Sequence, residues 1–441
     1  RLGFAYQPTK REDLVVRGAF GIYFDQINVN PFMDIRPPNN ADGVQDNPAG
    51  PSPVSIYTKN TLGQTAYTWQ PGQYIFNPVQ LCPSGNVAID PTCGTSVFDV
   101  YGVNPNFHTA YFYNYNVNVQ KSFANGVAVW QLGYVGSEGR RLSILLNINQ
   151  PVPNPAVPGT FMLPFQDRYP NFGIITPTIN SPGSINQLNS IGTSNYNALQ
   201  STLRLRSWHG LSSQFAYTWS HGLDEVSQYR GVIPFDSYNL KADYGNSDFD
   251  TRHSFTGSLN WEVPGSSHGP KALTHGWVIS TVLSFHGGQP SDEFRQGIDI
   301  IGDPFSGVSH SFVKGKTLQD FTGVQWINPL SFNTSLNPLT CGRVTSDNRC
   351  YGTLRRNQVS APGFKDVDLG VSKSFNIREQ MKLQIKAEMF NLFNTINYSS
   401  GSGSISYSSG QISDTIGDFV GAPGLGPGEA FATVLSAKIT F

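Results

Sequence analysis

Long stretches of the chain alternate between apolar and polar residues with a period of two. Within residues 109–123, aromatic and aliphatic residues fill every second position from 111 to 119, and amides fill every second position from 114 to 120. The two sets are Tyr111, Tyr113, Tyr115, Val117 and Val119, and Asn114, Asn116, Asn118 and Gln120. A helix would scatter these residues around its axis, whereas a strand sends successive side chains to opposite faces. The pattern therefore predicts a strand with one apolar face and one polar face.

The same alternation predicts eleven strands along the chain. Their apolar faces begin at Leu2, Leu14, Tyr111, Trp130, Leu199, Phe215, Phe255, Trp277, Val367, Leu383 and Phe431. Most of these strands are about ten to thirteen residues long, whereas strands of soluble sheets usually have five or six residues. A tilted strand needs roughly nine to eleven residues to cross a bilayer. The strand length therefore suits a membrane-spanning sheet.

The connections between the predicted strands alternate in length. Short turns lie at 8–12, 124–126, 208–210 and 376–379, with a moderate one at 264–275. Long loops lie at about 26–108, 138–194, 223–249, 287–363 and 393–429. Short periplasmic turns that alternate with long extracellular loops are typical of outer-membrane β-barrels. We therefore predict an all-β, antiparallel transmembrane β-barrel whose long loops lie outside the cell.

This topology also predicts that residues 1–441 are only part of a barrel. If the long loops are outside, the first and last strands both run inward, and Phe441 lies in the periplasm. A bacterial outer-membrane barrel starts from the periplasm and has an even number of strands. We therefore expect more strands upstream, together with the signal peptide, which is not visible after Arg1. The eleven strands should form an open half-barrel.

The composition limits the classes of protein to which the chain can belong. Only 13% of the residues are charged, 12% are aromatic and the net charge is −1. Nothing in this balance points to a nucleic-acid partner. No apolar run reaches the roughly 18 residues of a membrane-spanning helix. Low charge and many aromatic residues suit a β-rich protein.

Four cysteines form two close pairs, Cys82 with Cys93 and Cys341 with Cys350, in segments rich in proline, glycine and asparagine. Such pairs suit local disulfides that form in an oxidising periplasm. A four-cysteine zinc site is the alternative, but neither pair has the short C-x2–4-C spacing of such sites. Disulfides are therefore the preferred interpretation.

Several sequence blocks resemble TonB-dependent receptors of the large Oar-like type, in the C-terminal half of their barrel. The blocks are RLGFAY and VVRGAFGIYFDQ within 1–26, YNVNVQKSF at 115–123, YVGSEGRRL at 134–142, YNALQSTLRLR at 196–206, YTWSHGLDE at 217–225, DTRHSFTGSLNWEVP at 250–264 and AEMFNLFNTINY at 387–398. The resemblance implies a 22-stranded barrel with an N-terminal plug, a periplasmic TonB box and often a carboxypeptidase-regulatory-like domain. None of these additional parts is present in residues 1–441.

Few residues suggest catalytic chemistry. The group His221, Asp224 and Glu225 could hold a metal or transfer protons, but a solvated loop rim is the preferred interpretation. The group Asp248, Asp250, Arg252 and His253 could bind a cation, but hydrogen bonds and salt bridges at a strand end are preferred. The glycine-rich run at 424–428 lacks the Lys-Ser/Thr ending of a phosphate loop, and no HExxH or GxSxG motif occurs. We predict neither an enzyme nor a cofactor.

The polar faces of the strands give the remaining candidate residues. Those expected to face the lumen are Arg204, Arg206, Lys382, Lys386 and Glu388. They could contact a plug or line a substrate path, and ordinary hydration of a polar lumen explains them equally well. On the apolar faces, Tyr111, Trp130, Tyr134, Trp219, Trp261 and Trp277 suit the aromatic girdles at the two membrane interfaces.

The predicted function is energy-coupled uptake of an unknown ligand across the outer membrane of a Gram-negative bacterium. The expected partners are outer-membrane lipid, the barrel assembly machinery, which would recognise the terminal Phe441, and the TonB complex, which would act through the region upstream. An adhesion or binding barrel that transports nothing is the second interpretation. A soluble β-rich enzyme or lectin is the third.

Overall fold

A computed structural model describes residues 1–9, 13–25, 100–157, 161–162, 164, 185–227, 233–290, 298–304, 306, 308, 324–333, 352–378, 381–398, 405–412 and 428–441. The strands of these residues are β1 (Leu2–Tyr6), β2 (Leu14–Phe24), β3 (Val100–Val103), β4 (Tyr111–Phe123), β5 (Ala128–Asn147), β6 (Val152–Pro153), β7 (Phe161–Met162), β8 (Ile185–Trp208), β9 (Leu211–Asp224), β10 (Gly245–Asn246), β11 (His253–Glu262), β12 (Trp277–His286), β13 (Asp299–Ile300), β14 (Val324–Gln325), β15 (Phe332–Asn333), β16 (Phe364–Arg378), β17 (Met381–Phe390), β18 (Gln411–Ile412) and β19 (Ala432–Thr440).

One large sheet dominates the fold. Its main path has eleven strands in the order β1-β2-β4-β5-β8-β9-β11-β12-β16-β17-β19, and β3 and β10 pair with β8 and β9 beside this path. Every neighbour along the main path is antiparallel. The path ends at β1 and β19, which are not joined to each other. The predicted eleven strands and the open antiparallel sheet are therefore confirmed.

Cross-strand pairing aligns the apolar residues into rows. Phe255 on β11 lies opposite Phe285 on β12, and it is a diagonal neighbour of Phe215 on β9, which lies opposite Gly257. The three rings are stacked, with centroids 6.2 and 6.1 Å apart. A slip of one residue would move each ring to the opposite face, so the row depends on this register. The period-two pattern of the sequence thus reflects one continuous apolar face of the sheet.

The two ends of the sheet differ in their connections. At one end the strands are joined through 7–13, 124–127, 209–210, 263–276 and 379–380. At the other end they are joined through 25–110, 148–184, 225–252, 287–363 and 391–431. We call these the short-turn end and the long-loop end. All five long connections lie at the same end because the strands of the path alternate in direction.

The predicted loop 138–194 was too wide at both sides. β5 continues to Asn147, β8 begins at Ile185, and the two strands pair over this extension. The register shifts between Arg140 and Leu142, and Arg141 has a φ of 57°. Such a bulge adds one residue to a strand and breaks its period of two. The alternation was therefore lost at the point where the strand continued.

Helices are short in the residues that the structure describes. They are one α-helical turn, Lys271–Thr274, and three 3-10 turns, Ala124–Gly126, Leu240–Ala242 and Pro329–Ser331. None of them is long and apolar enough to cross a membrane. In the tight turn after β4, Ala124, Asn125 and Gly126 all have positive φ, with Gly126 at 91°. This region of φ favours glycine and asparagine, which explains the Asn-Gly pair at the predicted turn.

Candidate functional site

Two of the long connections fold together at the long-loop end. Within 287–363 and 391–431, β13 pairs with β15, and β14 from the first connection pairs with β18 from the second. Their buried apolar side chains form one cluster, which contains Ile298, Ile327, Phe332, Leu354, Val359, Ala361, Tyr398, Ile405, Tyr407 and Ile412. We call the described residues of these two connections that surround this cluster the loop body. It has a hydrophobic core of its own, separate from the sheet.

Hydrogen bonds hold the two connections of the loop body together. Within the first connection, the indole nitrogen of Trp326 donates to the carbonyl oxygen of Ser360 at 2.7 Å. The backbone nitrogens of Trp326 and Ile327 both donate to the carbonyl oxygen of Gly410, at 2.8 and 3.1 Å. Burial in the same core raises the pKa of Tyr398 to about 12. The loop body therefore combines a buried apolar core with backbone pairing between two distant segments.

Arg356 connects the loop body to the end of β9. Its guanidinium donates to the Asp224 carboxylate at 2.5 Å, to the Asp248 carboxylate at 2.8 Å and to the Ser227 hydroxyl at 2.6 Å. Only 6% of the Arg356 side chain is exposed. The neighbouring Asn357 also donates to the Asp248 carboxylate, at 2.7 Å. We call these five residues the Arg356 network. It places a buried cation between the carboxylates of Asp224, at the end of β9, and Asp248, in the connection that follows β9.

The remaining members of the two acidic groups have separate structural partners. The Glu225 carboxylate accepts hydrogen bonds from the backbone nitrogen and the hydroxyl of Thr193, at 2.7 and 2.6 Å. The Asp250 carboxylate accepts from the backbone nitrogen of Gly222 at 2.8 Å and pairs with Arg252 at 3.2 Å. In the part of the chain that the structure describes, no group of three or more His, Cys, Asp or Glu side chains could hold a metal ion.

The candidates predicted to face the lumen lie along the polar rows of the sheet. Cross-strand pairing places Arg204 opposite Gln214, and its Nε donates to the Gln214 side-chain oxygen at 3.0 Å. The Lys386 ammonium donates to the Glu388 carboxylate at 2.6 Å. The other two candidates, Arg206 and Lys382, lie on β8 and β17. That this face lines a lumen stays a prediction.

Comparison with protein families decides the class of this sheet. A family described as "Outer membrane beta barrel domain" matches residues 1–419. The chain belongs to this family. The predicted fold class and the bacterial outer-membrane location are thereby confirmed, and the family is one of membrane barrels rather than of enzymes. No curated protein matches the sequence.

Solved outer-membrane proteins are similar to this barrel chain over nearly all of its length. The outer membrane transporter YddB from Escherichia coli aligns with a TM-score of 0.47 and 9% identity, over 99% of this chain and 40% of that one. The siderophore receptor PiuA from Acinetobacter baumannii gives 0.42 and 8%, over 99% and 35%. A variant of the ferric enterobactin receptor PfeA from Pseudomonas aeruginosa gives 0.42 and 9%, over 99% and 39%. The chain spans at most 40% of the length of these three structures.

Some candidate residues of the barrel lie outside the described part of the chain. These are all four cysteines and residues 424–427 of the glycine-rich run. Both the disulfide pairing and its zinc alternative therefore stay predictions. Phe441 follows β19 and its side chain is 84% exposed, and its role in assembly also stays a prediction.

Sequence reasoning missed Arg356 and the loop body. Arg356 lies in a segment without alternation or motif, and its carboxylate partners come from more than a hundred residues earlier in the chain. The apolar residues of the loop body are spread over two long connections, so no local period marks them. A signal was nevertheless available, because isoleucine and tryptophan are unusual in purely solvated loops.

Proposed function

We propose that the chain is the C-terminal part of the barrel of a TonB-dependent receptor, and that the complete protein takes up a ligand across the outer membrane. The long connections capture the ligand outside the cell, and a plug encoded upstream moves when the TonB complex acts on it. The observation that carries this proposal is the loop body. Adjacent loops that share a buried apolar core form a rigid surface, which a receptor needs if it is to select a ligand.

The edges of the sheet support the presence of further strands. In lipid, every backbone N–H and C=O must be paired, and each unpaired group costs several kcal/mol. β1 and β19 each pair with one strand of the main path. Since the path has eleven alternating strands, these two run in the same direction and could close only as a parallel pair. We infer that other strands of the same protein complete the barrel.

Uptake by the complete protein tests the proposal. Cells that express it are given candidate ligands, among them iron chelates, glycans and peptides, with the TonB complex intact or deleted. We expect accumulation of one ligand that stops when TonB is deleted or when the plug is removed. Uptake by residues 1–441 alone, behind a signal peptide, would contradict the proposal.

The same experiment separates the second candidate function. A barrel used for adhesion would bind a ligand or a surface through the loop body with equal strength in the presence and absence of TonB, and it would accumulate nothing inside the cell. The rigid loop body suits such binding as well, so the dependence on TonB is the result that distinguishes the two functions.

A further inference from the structure

Two arginines follow each other at the long-loop end of β5. Arg140 lies directly opposite Tyr111 of β4, so the two side chains share one face of the sheet. In a regular strand the next residue would point to the other face. The bulge changes this, because Arg141 has a φ of 57° and its guanidinium carbon lies 5.8 Å from the centre of the Tyr111 ring. Both arginines therefore lie beside Tyr111.

This conformation is costly for a residue other than glycine. A left-handed φ is sterically unfavourable in a residue with a Cβ, and such positions occur preferentially at functional sites. Bulges likewise redirect side chains beside binding sites. Arg141 is exposed and has no ion-pair partner among the residues that the structure describes. Arg140 pairs with Glu138 at 2.8 Å, and 39% of its side chain stays exposed.

An exposed aromatic surface continues from the two arginines toward the middle of the sheet. The rings of Tyr111 and Tyr113 lie 5.4 Å apart, edge to face. Phe24 pairs with Tyr111 and Phe20 packs on Tyr113, with centroids 6.0 and 6.2 Å apart. Phe24 is 73% exposed and Phe20 is 43% exposed. This is the apolar face of the sheet, which contacts lipid chains in an outer-membrane barrel.

Two lysines on the same face, at the opposite end of the sheet, already have partners within the protein. Lys121 pairs with Asp13 at 2.6 Å. Lys373 donates to the carbonyl oxygen of His275, and its ammonium lies over the rings of Trp277 and Phe375. Lys121 and Lys373 at the short-turn end are thus held by partners within the protein, whereas Arg141 at the long-loop end is exposed.

We propose that Arg140, Arg141 and the aromatic surface of Phe20, Phe24, Tyr111 and Tyr113 bind a phosphorylated glycolipid of the outer leaflet. The guanidinium groups take the phosphate, since arginine forms forked, charge-assisted hydrogen bonds to this group. The rings contact the acyl chains below it. The inference rests on the proposed orientation, in which the long-loop end faces outward. Basic residues at a membrane surface bind anionic lipid headgroups by the same electrostatics.

Binding of defined lipids to the complete protein in detergent tests this site. The probe is bisphosphorylated lipid A, and native mass spectrometry measures the bound fraction. The comparison lipids are dephosphorylated lipid A and phosphatidylglycerol. The double variant Arg140→Gln/Arg141→Gln removes both cations, and Arg17→Gln/Arg378→Gln is the charge-matched control. Arg17 lies on the other face of β2, and Arg378 lies at the short-turn end.

We expect the double variant to bind bisphosphorylated lipid A roughly tenfold more weakly, because two charge-assisted contacts are lost. The control should bind like the wild type. A second variant, Arg141→Gly, removes backbone strain and should fold at least as well, yet it should also bind more weakly. A merely structural role for Arg141 would give full binding in this variant.

Three results would overturn the site: equal binding by the double variant, equal binding of dephosphorylated lipid A, or preference for phosphatidylglycerol. The last would indicate a phospholipid of the inner leaflet and the opposite orientation. The uptake assay keeps the two proposals distinct. Loss of lipid binding with intact TonB-dependent uptake contradicts only the lipid site, and normal lipid binding without uptake contradicts only the transport function.

Discussion

The sheet and the loop body bury apolar residues in opposite ways. In the middle of the sheet, Leu203 and Trp219 are 43% and 44% exposed. In the loop body, Ile327 and Ile412 are fully buried. A water-soluble protein would show the reverse. Its apolar strand residues would lie in the core, and its loops would contain few apolar residues. We therefore expect the apolar residues of the sheet to face lipid, while the loop body removes its own from water.

The stability of the two regions therefore depends on different solvents. Burial of apolar area from water stabilises the loop body in the same way as a small soluble domain. Strands in a bilayer are held by backbone hydrogen bonds and by lipid around their apolar face. Mutations in one region should therefore leave the structure of the other region largely intact.

The largest effect is expected at Arg356. In Arg356→Met, the carboxylates of Asp224 and Asp248 lose their shared cation, and breaking a buried pair in this way costs about 3–5 kcal/mol. Hydrogen exchange of the complete protein should show faster exchange over 352–361, with the strands of the sheet unchanged. The control is Arg355→Met, because the Arg355 side chain is exposed. Equal exchange in both variants would show that the network does not hold the loop body.

The core of the loop body gives the next effect. Ile327→Ala should destabilise the loop body by about 2–5 kcal/mol, since it removes buried methyl groups and leaves a cavity. Limited proteolysis should then cut within 405–412, while the heat-modifiable migration of the barrel stays normal. Leu330→Ala is the matched control, because Leu330 is 83% exposed. Loss of heat-modifiable migration in Ile327→Ala would show that both regions unfold together.

A charge on the apolar face tests the other side of the comparison. Leu203→Arg should destabilise the barrel in lipid vesicles by up to about 2–4 kcal/mol, the cost of arginine on a lipid face near the midplane. Thr202→Arg places the same charge on the polar face of β8 and should cost much less. Urea unfolding from vesicles measures both. Equal costs would contradict the assignment of the apolar face to lipid.

The smallest effects are two opposite dependences on pH. Burial raises the pKa of Tyr398 to about 12, so the loop body should lose stability as the pH rises from about 10 to 12, and Tyr398→Phe should remove this loss. At the short-turn end, hydrogen bonds from Lys121 and Thr9 lower the pKa of Asp13 to about 2. Its contribution is present above about pH 4 and is lost as the pH falls toward 2. Absorbance of tyrosinate and the carbon-13 shift of the Asp13 carboxyl measure the two titrations; ordinary values near 10 and 4 would contradict both.

The sequence predicts the sheet well because each strand carries its own evidence. Residues 113–120 alternate without interruption, and β4 occupies 111–123 as expected. The prediction fails at 138–147, where the bulge at Arg141 breaks the alternation and three successive apolar residues, Ile144, Leu145 and Leu146, are all buried. A periodic pattern reports local geometry, so it cannot follow a strand through a change of register.

The candidate site was less predictable because its contacts join distant segments. The acidic groups at 221–225 and 248–253 were found from their residue types, but their partner Arg356 lies in an unpatterned connection. The pairing of β14 with β18 brings residues 324–325 to residues 411–412, and no spacing in the sequence encodes that contact. Such long-range pairing depends on the whole fold.

Labelling of single cysteines measures the orientation of the barrel in the outer membrane. In the complete protein with its native cysteines replaced, single cysteines are introduced as Ser306→Cys in the loop body and His209→Cys in the turn between β8 and β9. Both side chains are exposed. A thiol reagent that cannot cross the outer membrane should label position 306 on intact cells and position 209 only after the membrane is opened. Labelling of position 209 alone on intact cells would contradict this orientation.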